Sequence, residues 1–213
     1  LETNVPAFYQ RHGWTLSHQP CYSTADARGI LSYLGTHQPR DRRIVLDDQA
    51  NSSANPYNIR LWRHVEQDAL IHLYNRHTAG CYGPLERNED YWRWLFSRRG
   101  YDRIYVAING PDKIELDQSL KAIVAYAIIK QGRILEIMTS PGHDQAGHQL
   151  VKRVCADVIE QEDGPIRIDA PPGDPLHAFM VSSGGHLHHQ ENHAGTYTMA
   201  KLFDSLAVLK ALQ

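Results

Sequence analysis

The second half of this 213-residue chain contains two β-rich segments, then a segment with helical periodicity, and then a third β-rich segment. KAIVAYAIIKQGRILEIMTSP at 121–141 predicts two long strands joined by a hairpin at Gln131-Gly132. In AGHQLVKRVCADVIEQ at 146–161, apolar residues recur three and four positions apart, which predicts a helix of about four turns. PIRIDAP at 165–171 predicts another strand. A strand, a helix and a strand in this order predict a right-handed parallel crossover.

The segments on either side extend this pattern into an α/β domain. Strands are predicted at 59–65 and 102–110, amphipathic helices at 66–77 and 85–99, a helix capped by Asp174 at 174–185, and a closing pair of strands at 186–203. Because antiparallel strands are combined with one parallel crossover, we expect a mixed, mostly antiparallel sheet with helices on both faces. We expect this sheet to split between its fourth and fifth strands, which contain Glu136 and Ile168.

The first part of the chain does not contain enough elements for a domain of its own. A short helix, a strand or hairpin at 14–24 and a weak helical pattern after it are too few to enclose a core, so they must pack against something else. Residues 38–57 are rich in Arg, Asp, Ser, Asn and Pro, which is typical of a linker. After this linker we expect a self-sufficient domain at 58–203 and the start of a further segment at 204–213.

Composition limits the classes of partner. The formal net charge is −2, so nothing in the overall charge favours nucleic acid or an anionic membrane surface. No apolar run approaches the roughly 20 residues that cross a bilayer, and we expect no membrane partner. The three cysteines, Cys21, Cys81 and Cys155, are odd in number and widely spaced, which argues against a disulfide framework and favours a cytoplasmic setting.

Two segments carry a resemblance to a known superfamily. In PAFYQRHGW at 6–14, the aromatic pair Phe8-Tyr9 precedes Gly13 and Trp14. This segment resembles the late helix of a GNAT domain, the fold of the acetyl-CoA-dependent N-acetyltransferases. DPLHAFMVSSGGHL at 174–187 is similar, with Phe179-Met180 ahead of Gly184 or Gly185. The element order of residues 58–203 also resembles a complete GNAT domain.

The tail of one copy followed by a whole second copy resembles the tandem layout of the enhanced intracellular survival (Eis) family of aminoglycoside or lysine N-acetyltransferases. The resemblance implies that residues 1–37 are the C-terminal remnant of a first GNAT-like domain and that residues 58–203 are a second, degenerate one. It also implies acetyl-CoA as the acyl donor, a small-molecule primary amine as the acceptor, and assembly into a homo-oligomer.

Tyr9 is the catalytic candidate that this resemblance provides. In GNAT enzymes the corresponding tyrosine lies near the thioester sulfur, where its hydroxyl can protonate the leaving thiolate as a general acid. The alternative is an aromatic side chain packed on the sheet, which is also the expectation for Phe8.

The candidate cofactor-binding residues are Gly142, Gly147 and His148, in SPGHDQAGHQL at 140–150. GNAT domains bind the pyrophosphate through backbone N–H groups of a Gln/Arg-x-x-Gly-x-Gly/Ala loop that opens a helix. Here Asp144 stands at the Gln/Arg position and Gln149 at the last small position, and only Gly147 matches. A carboxylate would repel phosphate. We therefore favour a helix N-terminus that retains the fold but no longer binds the cofactor, rather than a functional cofactor site.

Other clusters support weaker hypotheses. His186, His188, His189 and His193 could hold zinc, but we favour exposed strand and turn histidines and assign no metal. Trp92 and Trp94 lie on opposite faces of one helix, so only one of them can be deeply buried. Cys155 lies on an apolar stripe and is expected to serve packing.

Three functions remain open at this point. The first is a GNAT-type N-acetyltransferase that acts on a primary amine, in which this chain carries mainly the non-catalytic second domain. The second is a non-catalytic structural or interaction domain that shapes a substrate pocket or an oligomer interface. The third is a small-molecule binding protein that uses a similar groove for another acyl carrier.

Overall fold

The computed structural model describes residues 2–17, 21–37, 57–79, 87–97, 100–110, 119–189 and 197–200. The strands are β1 (Glu2–Thr3), β2 (Thr15–Leu16), β3 (Cys21–Ala25), β4 (Tyr57–Leu61), β5 (Arg103–Asn109), β6 (Ile123–Lys130), β7 (Arg133–Thr139), β8 (Ile166–Ala170), β9 (His186–His189) and β10 (Tyr197–Ala200). The helices are α1 (Pro6–Gln10), α2 (Ala27–His37), α3 (Gln67–Thr78), α4 (Glu89–Ser97), α5 (Ser119–Ala122), α6 (Asp144–Glu160) and α7 (Pro175–Ser182), and a 3-10 turn covers His64–Glu66.

Seven strands form one mixed sheet in the order β4-β5-β6-β7-β8-β3-β9. Every neighbouring pair is antiparallel except β7 and β8, which are parallel and are connected by α6. The predicted crossover and the mixed, mostly antiparallel sheet are therefore confirmed. Glu136 and Ile168 lie on neighbouring strands, as expected.

The hairpin between β6 and β7 follows from its two turn residues. Gln131 and Gly132 have φ angles of 48° and 68°, and positive φ at both central positions is the mark of a type I′ turn. Asp102, the residue before β5, supports the turn, because its Oδ2 accepts a hydrogen bond of 2.6 Å from the N–H of Gln131. The turn predicted at these two residues is confirmed.

Helices cover the sheet on both faces and enclose two cores. The first core contains buried residues of α2, α6 and α7, and the second contains buried residues of α3 and α4. Helix α6 presents the predicted apolar stripe to the first core, with Leu150, Val154 and Cys155 each at most 1% exposed. Trp92 is 0% exposed and Trp94 46% exposed, so only one of the two is buried, as predicted.

Strand β3 is inserted between β8 and β9, although it comes from the N-terminal part of the chain. It pairs along its whole length with β8 and along four residues with β9. Its alternating pattern fits this position, because Cys21, Ser23 and Ala25 are buried and the residues between them are half-buried. The expectation of a self-sufficient sheet after residue 57 is therefore wrong, since β8 and β9 obtain their common neighbour from residues 21–25.

A second, three-stranded sheet has the order β1-β10-β2. In this sheet β10 pairs with β1 on one side and with β2 on the other, both antiparallel. The closing strand pair predicted at 186–203 is therefore wrong, because β9 pairs with β3 while β10 pairs with strands from the start of the chain. The two segments have exchanged partners: β10 lies between β1 and β2, and β3 lies between β8 and β9.

The division into residues 1–37, 38–57, 58–203 and 204–213 stays a prediction. Residues 38–56 and 201–213 lie outside the described part of the chain, as does His193. Within the described part, no helix is long and apolar enough to cross a membrane.

Gly185 gives a test of the inserted strand. A Cβ at this position would overlap the carbonyl oxygen of Thr24 and lie 2.6 Å from Cβ of Ala25, both in β3. We expect Gly185→Ala to lower the free energy of unfolding by about 2–3 kcal/mol, because overpacking forces the backbone to shift. Urea unfolding measures this loss.

Gly164→Ala is the matched control, because nothing lies within 4 Å of the added methyl group. We expect it to change the free energy of unfolding by less than about 0.5 kcal/mol. Equal stability of the two variants would contradict the close approach of β3 to Gly185.

Candidate functional site

A cleft opens where β7 and β8 separate. The two strands pair only at Arg133 with Arg167 and at Ile134 with Ile168. Beyond these pairs lies a cavity of about 540 Å³, which we call the β7–β8 cavity. It is bounded by β7, the end of α3, and the N-terminal parts of α6 and α7. The lining residues are His77, Ile137, Thr139, Asp144, Gly147, His148, Val151, Asp174, Pro175, Leu176 and Phe179.

The loop between β7 and α6 uses much of its hydrogen-bonding capacity internally. The N–H of Ser140 donates to the carbonyl oxygen of Val124 at 2.7 Å, and the N–H of His143 donates to that of Ser140 at 3.0 Å. Gly142 has a φ of 81° and allows this tight turn. The N–H of Ala146 donates to the carbonyl oxygen of His143 at 2.8 Å. Three N–H groups near the start of α6 are thus bonded within the protein.

Asp144 and Gly147 determine the character of the first turn of α6. The Asp144 carboxylate interacts favourably with the helix dipole and opposes an anionic ligand at the same place. Gly147 is explained by packing, because a Cβ there would lie only 3.0 Å from Cγ2 of Thr139 on β7. These residues do not fit a pyrophosphate, so the arrangement supports no reaction step that uses acetyl-CoA in this cleft.

Two of the three predicted cofactor-binding residues, Gly147 and His148, line the cavity. The His148 ring is stacked on the Phe179 ring, with the centroids 6.2 Å apart and the planes 18° apart. Gly142 is not a lining residue and acts on the shape of the loop. Asp174, which the sequence identified only as a helix cap, also lines the cavity, and its Oδ1 accepts a 2.8 Å hydrogen bond from the N–H of Leu176.

Tyr9 lies on α1, beside the three-stranded sheet. Its ring is half-buried and makes edge contacts with Phe8 at 5.2 Å and with Trp14 at 6.1 Å. Phe8 is 55% exposed, so the expectation that it packs on the sheet is wrong. Tyr9 does not line the β7–β8 cavity.

Helices α1 and α7 occupy equivalent places in the two sheets. Each begins with a proline, Pro6 or Pro175, and each is followed by a glycine with positive φ, Gly13 at 77° or Gly184 at 85°. This geometry favours Gly184 over Gly185 as the counterpart of Gly13. Counting back from these glycines, Met180 stands where Tyr9 stands, and Met180 is fully buried. The second segment therefore has no hydroxyl at the position of the candidate general acid.

A largely buried polar cluster on β6 and β7 was not predicted from the sequence. The Glu136 carboxylate accepts hydrogen bonds from Arg87 at 3.0 and 2.5 Å and from the Tyr126 hydroxyl at 2.5 Å. The Arg87 guanidinium lies 4.0 Å from the centre of the Tyr74 ring. Burial, together with the negative charge of Glu136, raises the pKa of Tyr126 well above its ordinary value. Tyr126 therefore stays a neutral donor, and the cluster joins β6 and β7 to the segment before α4.

A second unpredicted cluster joins β3 to α7. The His177 Nε2 lies 3.1 Å from the carbonyl oxygen of Ala170, which can only accept, so Nε2 carries the proton. The His177 Nδ1 therefore accepts the hydrogen bond from the Ser23 hydroxyl at 2.7 Å. The Cys21 thiol lies 3.2 Å from Nε2. All three side chains are buried, so this cluster holds the inserted strand in place.

Among the histidines considered for zinc, His188 has other partners. The Nε2 of His188 is 2.8 Å from the Thr24 hydroxyl, and the His188 ring is stacked on the Tyr22 ring at 4.8 Å. The ring centres of His186 and His188 are 6.4 Å apart. Among the residues that the structure describes, no group of three or more His, Cys, Asp or Glu side chains is placed to hold a metal ion.

Cys155 gives a prediction for alkaline pH. Burial, with a smaller contribution from the negative charge of Asp26, raises the pKa of its thiol to about 12. Above pH 9 the unfolded chain releases this proton while the folded chain retains it, so folding becomes less favourable as the pH rises. We expect this group to lower the free energy of unfolding by up to about 1.4 kcal/mol per pH unit between pH 9 and 12.

The measurement compares urea unfolding of the unmodified chain and of Cys155→Ala across this pH range. The substitution leaves a cavity that lowers stability at every pH, so the informative quantity is the slope against pH. A smaller slope in the variant is the expected result, and identical slopes would show that Cys155 ionises equally in both states.

Comparison with known proteins adds the fold class. No family model matches the chain, and no curated protein matches it. Among solved structures, a functionally unknown conserved protein from Staphylococcus epidermidis matches with a TM-score of 0.52 and 12% identity, over 92% of this chain and 65% of the other. A GCN5-related N-acetyltransferase from Sphaerobacter thermophilus matches with a TM-score of 0.50 and 13% identity, over 92% and 54%.

A Drosophila protein matches with a TM-score of 0.50 and 11% identity, over 92% of this chain and 55% of the other. The chain thus spans 54–65% of the length of these three solved chains. At such identities the likeness shows the fold alone. The chain has an α/β fold with a mixed seven-stranded sheet, structurally similar to the GNAT acetyltransferases.

Proposed function

We propose that the chain belongs to an acetyl-CoA-dependent N-acetyltransferase of the tandem-GNAT, Eis-like type, which transfers an acetyl group to a primary amine. In this proposal the segment around α1 is the end of the catalytic first domain. The larger sheet belongs to a second domain that has lost its acyl-CoA site. The amine is of the aminoglycoside or lysine kind, and the enzyme is a cytoplasmic homo-oligomer.

The observation that supports this proposal is the repeated arrangement of the two sheets. In β1-β10-β2 and in β8-β3-β9, a strand precedes a proline-initiated helix, and another strand follows a glycine with positive φ. In both of these groups of three strands, the central strand comes from the other segment. Such repetition is what a duplicated domain with exchanged final strands would produce.

Differences between the repeats support the division of roles. Tyr9 in the first repeat has a hydroxyl that can serve as a general acid, while Met180 in the second repeat has none. In the same proposed domain, before the second repeat, the loop that leads into α6 has three of its N–H groups bonded internally, and Asp144 stands where an anion would bind. The second domain would therefore shape the substrate pocket or an oligomer interface.

The role of Tyr9 is tested in the complete gene product that contains this chain. We expect Tyr9→Phe to lower kcat for acetyl transfer to an amine about 100-fold or more, because general-acid catalysis contributes about 10²–10⁴-fold. Tyr101→Phe is the matched control, since this half-buried tyrosine packs against Phe96 in the second core, away from α1. A Tyr9→Phe variant as active as the control would contradict the assignment.

The loss of the acyl-CoA site in the second domain is tested by calorimetry of the 213-residue chain with acetyl-CoA. We expect no heat of binding at micromolar ligand, because the loop before α6 offers a carboxylate and internally bonded N–H groups to the phosphates. Micromolar binding that Gly147→Ala abolishes would instead support a catalytic second domain.

A further inference from the structure

We propose that a cavity between β4 and the C-terminal half of α6 binds a free α-amino acid with a large apolar side chain. The carboxylate of the ligand contacts Arg103 and Arg153, its ammonium group contacts Glu160, and its side chain lies on β4. This site does not depend on the proposed acetyl transfer, because a chain without any enzymatic activity could also bind such a ligand.

The cavity, which we call the β4–α6 cavity, has a volume of about 400 Å³. Small-molecule sites typically have volumes of roughly 300–1,000 Å³, so a free amino acid fits by size. The lining residues are Ile59, Arg60, Leu61, Arg103, Tyr105, Arg153, Asp157, Glu160 and Gln161, which come from β4, β5 and the end of α6. None of them lines the β7–β8 cavity, which lies at the N-terminal part of α6.

Two arginines of the cavity are held in place by one buried carboxylate. The Nη1 of Arg103 donates to Oδ2 of Asp157 at 2.8 Å, and the Nη2 of Arg153 lies 3.0 Å from Oδ1. The Tyr105 hydroxyl donates to the same carboxylate. Asp157 is 6% exposed, whereas the side chains of Arg103 and Arg153 are 38% and 48% exposed. Because two guanidinium groups share one carboxylate, a charge of +1 remains, and the arginines are positioned before a ligand binds.

The guanidinium groups retain N–H donors for a ligand. Each has five N–H groups in a planar fork that matches a carboxylate. The Gln161 amide lies 2.5 and 2.8 Å from the two terminal nitrogens of Arg103, so Arg153 is the freer of the two. The third arginine of the lining, Arg60, is bonded through both terminal nitrogens to the Glu66 carboxylate, which neutralises its charge.

The cavity is negative where α6 ends. Glu160 is exposed and is the last residue of the helix, where the helix dipole contributes about half a negative charge. The Tyr105 hydroxyl and, to a smaller extent, the negative charges of Asp157 and Glu160 raise the pKa of Arg153 above its ordinary value, so Glu160 lies within electrostatic range of this guanidinium. A simple anion would meet Glu160, and a simple cation would meet the arginines. A zwitterion places each of its charges beside the opposite one.

Apolar side chains complete the cavity on the side of β4. Ile59 is half-buried, and Leu61 is 54% exposed. The Tyr105 ring adds an aromatic surface, and the Arg153 guanidinium lies 5.6 Å from its centre. Because the burial of exposed apolar surface is favourable, these walls favour an amino acid with a large apolar side chain over a small one.

Protein-observed NMR titration of the 213-residue chain tests this site with three probes that share a phenylethyl group. At pH 7, L-phenylalanine carries both charges, 3-phenylpropionate carries only the carboxylate, and phenethylamine carries only the ammonium group. We expect L-phenylalanine to shift the signals of Ile59, Leu61 and Tyr105 and to bind at least fivefold more tightly than either singly charged probe. L-Alanine should bind at least fivefold more weakly than L-phenylalanine, because it has no large apolar side chain.

Variants separate the two charges of the cavity. We expect Arg153→Gln to weaken L-phenylalanine about fivefold to tenfold and not to weaken phenethylamine, because only the partner of the carboxylate is removed. We expect Glu160→Gln to weaken L-phenylalanine about threefold to fivefold and not to weaken 3-phenylpropionate. Since Glu160 is exposed, this second variant keeps the test valid if Arg153→Gln is unstable. Arg93→Gln is the matched control, because this exposed arginine lies on α4 outside the cavity, and it should change none of the affinities.

Two outcomes would overturn the proposal. The first is equal binding of the three aromatic probes, or tightest binding of a singly charged one, because the cavity would then not recognise a zwitterion. The second is the absence of shifts at Ile59, Leu61 and Tyr105 while a dispersed amide spectrum shows that the chain is folded. Failure here would leave the Tyr9 experiment unaffected, since that experiment concerns the other sheet.

Discussion

The insertion of β3 between β8 and β9 is the interaction on which the larger sheet depends. Without β3, the facing edges of β8 and β9 would carry unpaired backbone N–H and carbonyl groups in the interior of the sheet. Such groups are costly when they are buried. β3 satisfies both neighbours at once and buries Cys21, Ser23 and Ala25 in the first core. The hydrogen bond between Ser23 and His177 then fixes α7 onto this strand.

The candidate site follows from that insertion. α7 packs over β3, β8 and β9, and from there it contributes Asp174, Leu176 and Phe179 to the wall of the β7–β8 cavity. The other wall comes from β7 and α6, which approach each other closely because residue 147 is a glycine. The cleft is therefore the gap between β4–β7, which follow one another along the chain, and β8-β3-β9, which a strand from the start of the chain completes.

Most individual helices and strands could be predicted from the sequence, because the patterns that indicate them are local. The hairpin at Gln131-Gly132 and the stripe of α6 each depend on residues within a few positions of one another. The partners of β3 and β10 depend on pairings between distant segments. The sequence of a short strand such as CYSTA does not specify which strands it pairs with. Expecting 186–203 to close as a local strand pair was reasonable on local grounds and was wrong for this reason.

The same difference between local and long-range signals applies to the candidate site. The position of the loop before α6 and the cap at Asp174 could be predicted, because both are helix N-terminal signals. The cavity itself depends on how far β7 and β8 diverge, and the Arg87–Glu136 pair joins residues far apart in the chain. Gly147 was selected for a resemblance to a phosphate loop, whereas the structure explains it by the approach of α6 to Thr139.

The exchange of strands is measured most directly by the nuclear Overhauser contacts of residues 21–25 in the folded chain. The structure places Ser23 opposite Ile168 on one side and opposite Leu187 on the other. Cross-strand contacts from Ser23 to both residues are the predicted result. Contacts from residues 21–25 to Thr15 and Leu16, with none to Ile168 or Leu187, would contradict the account.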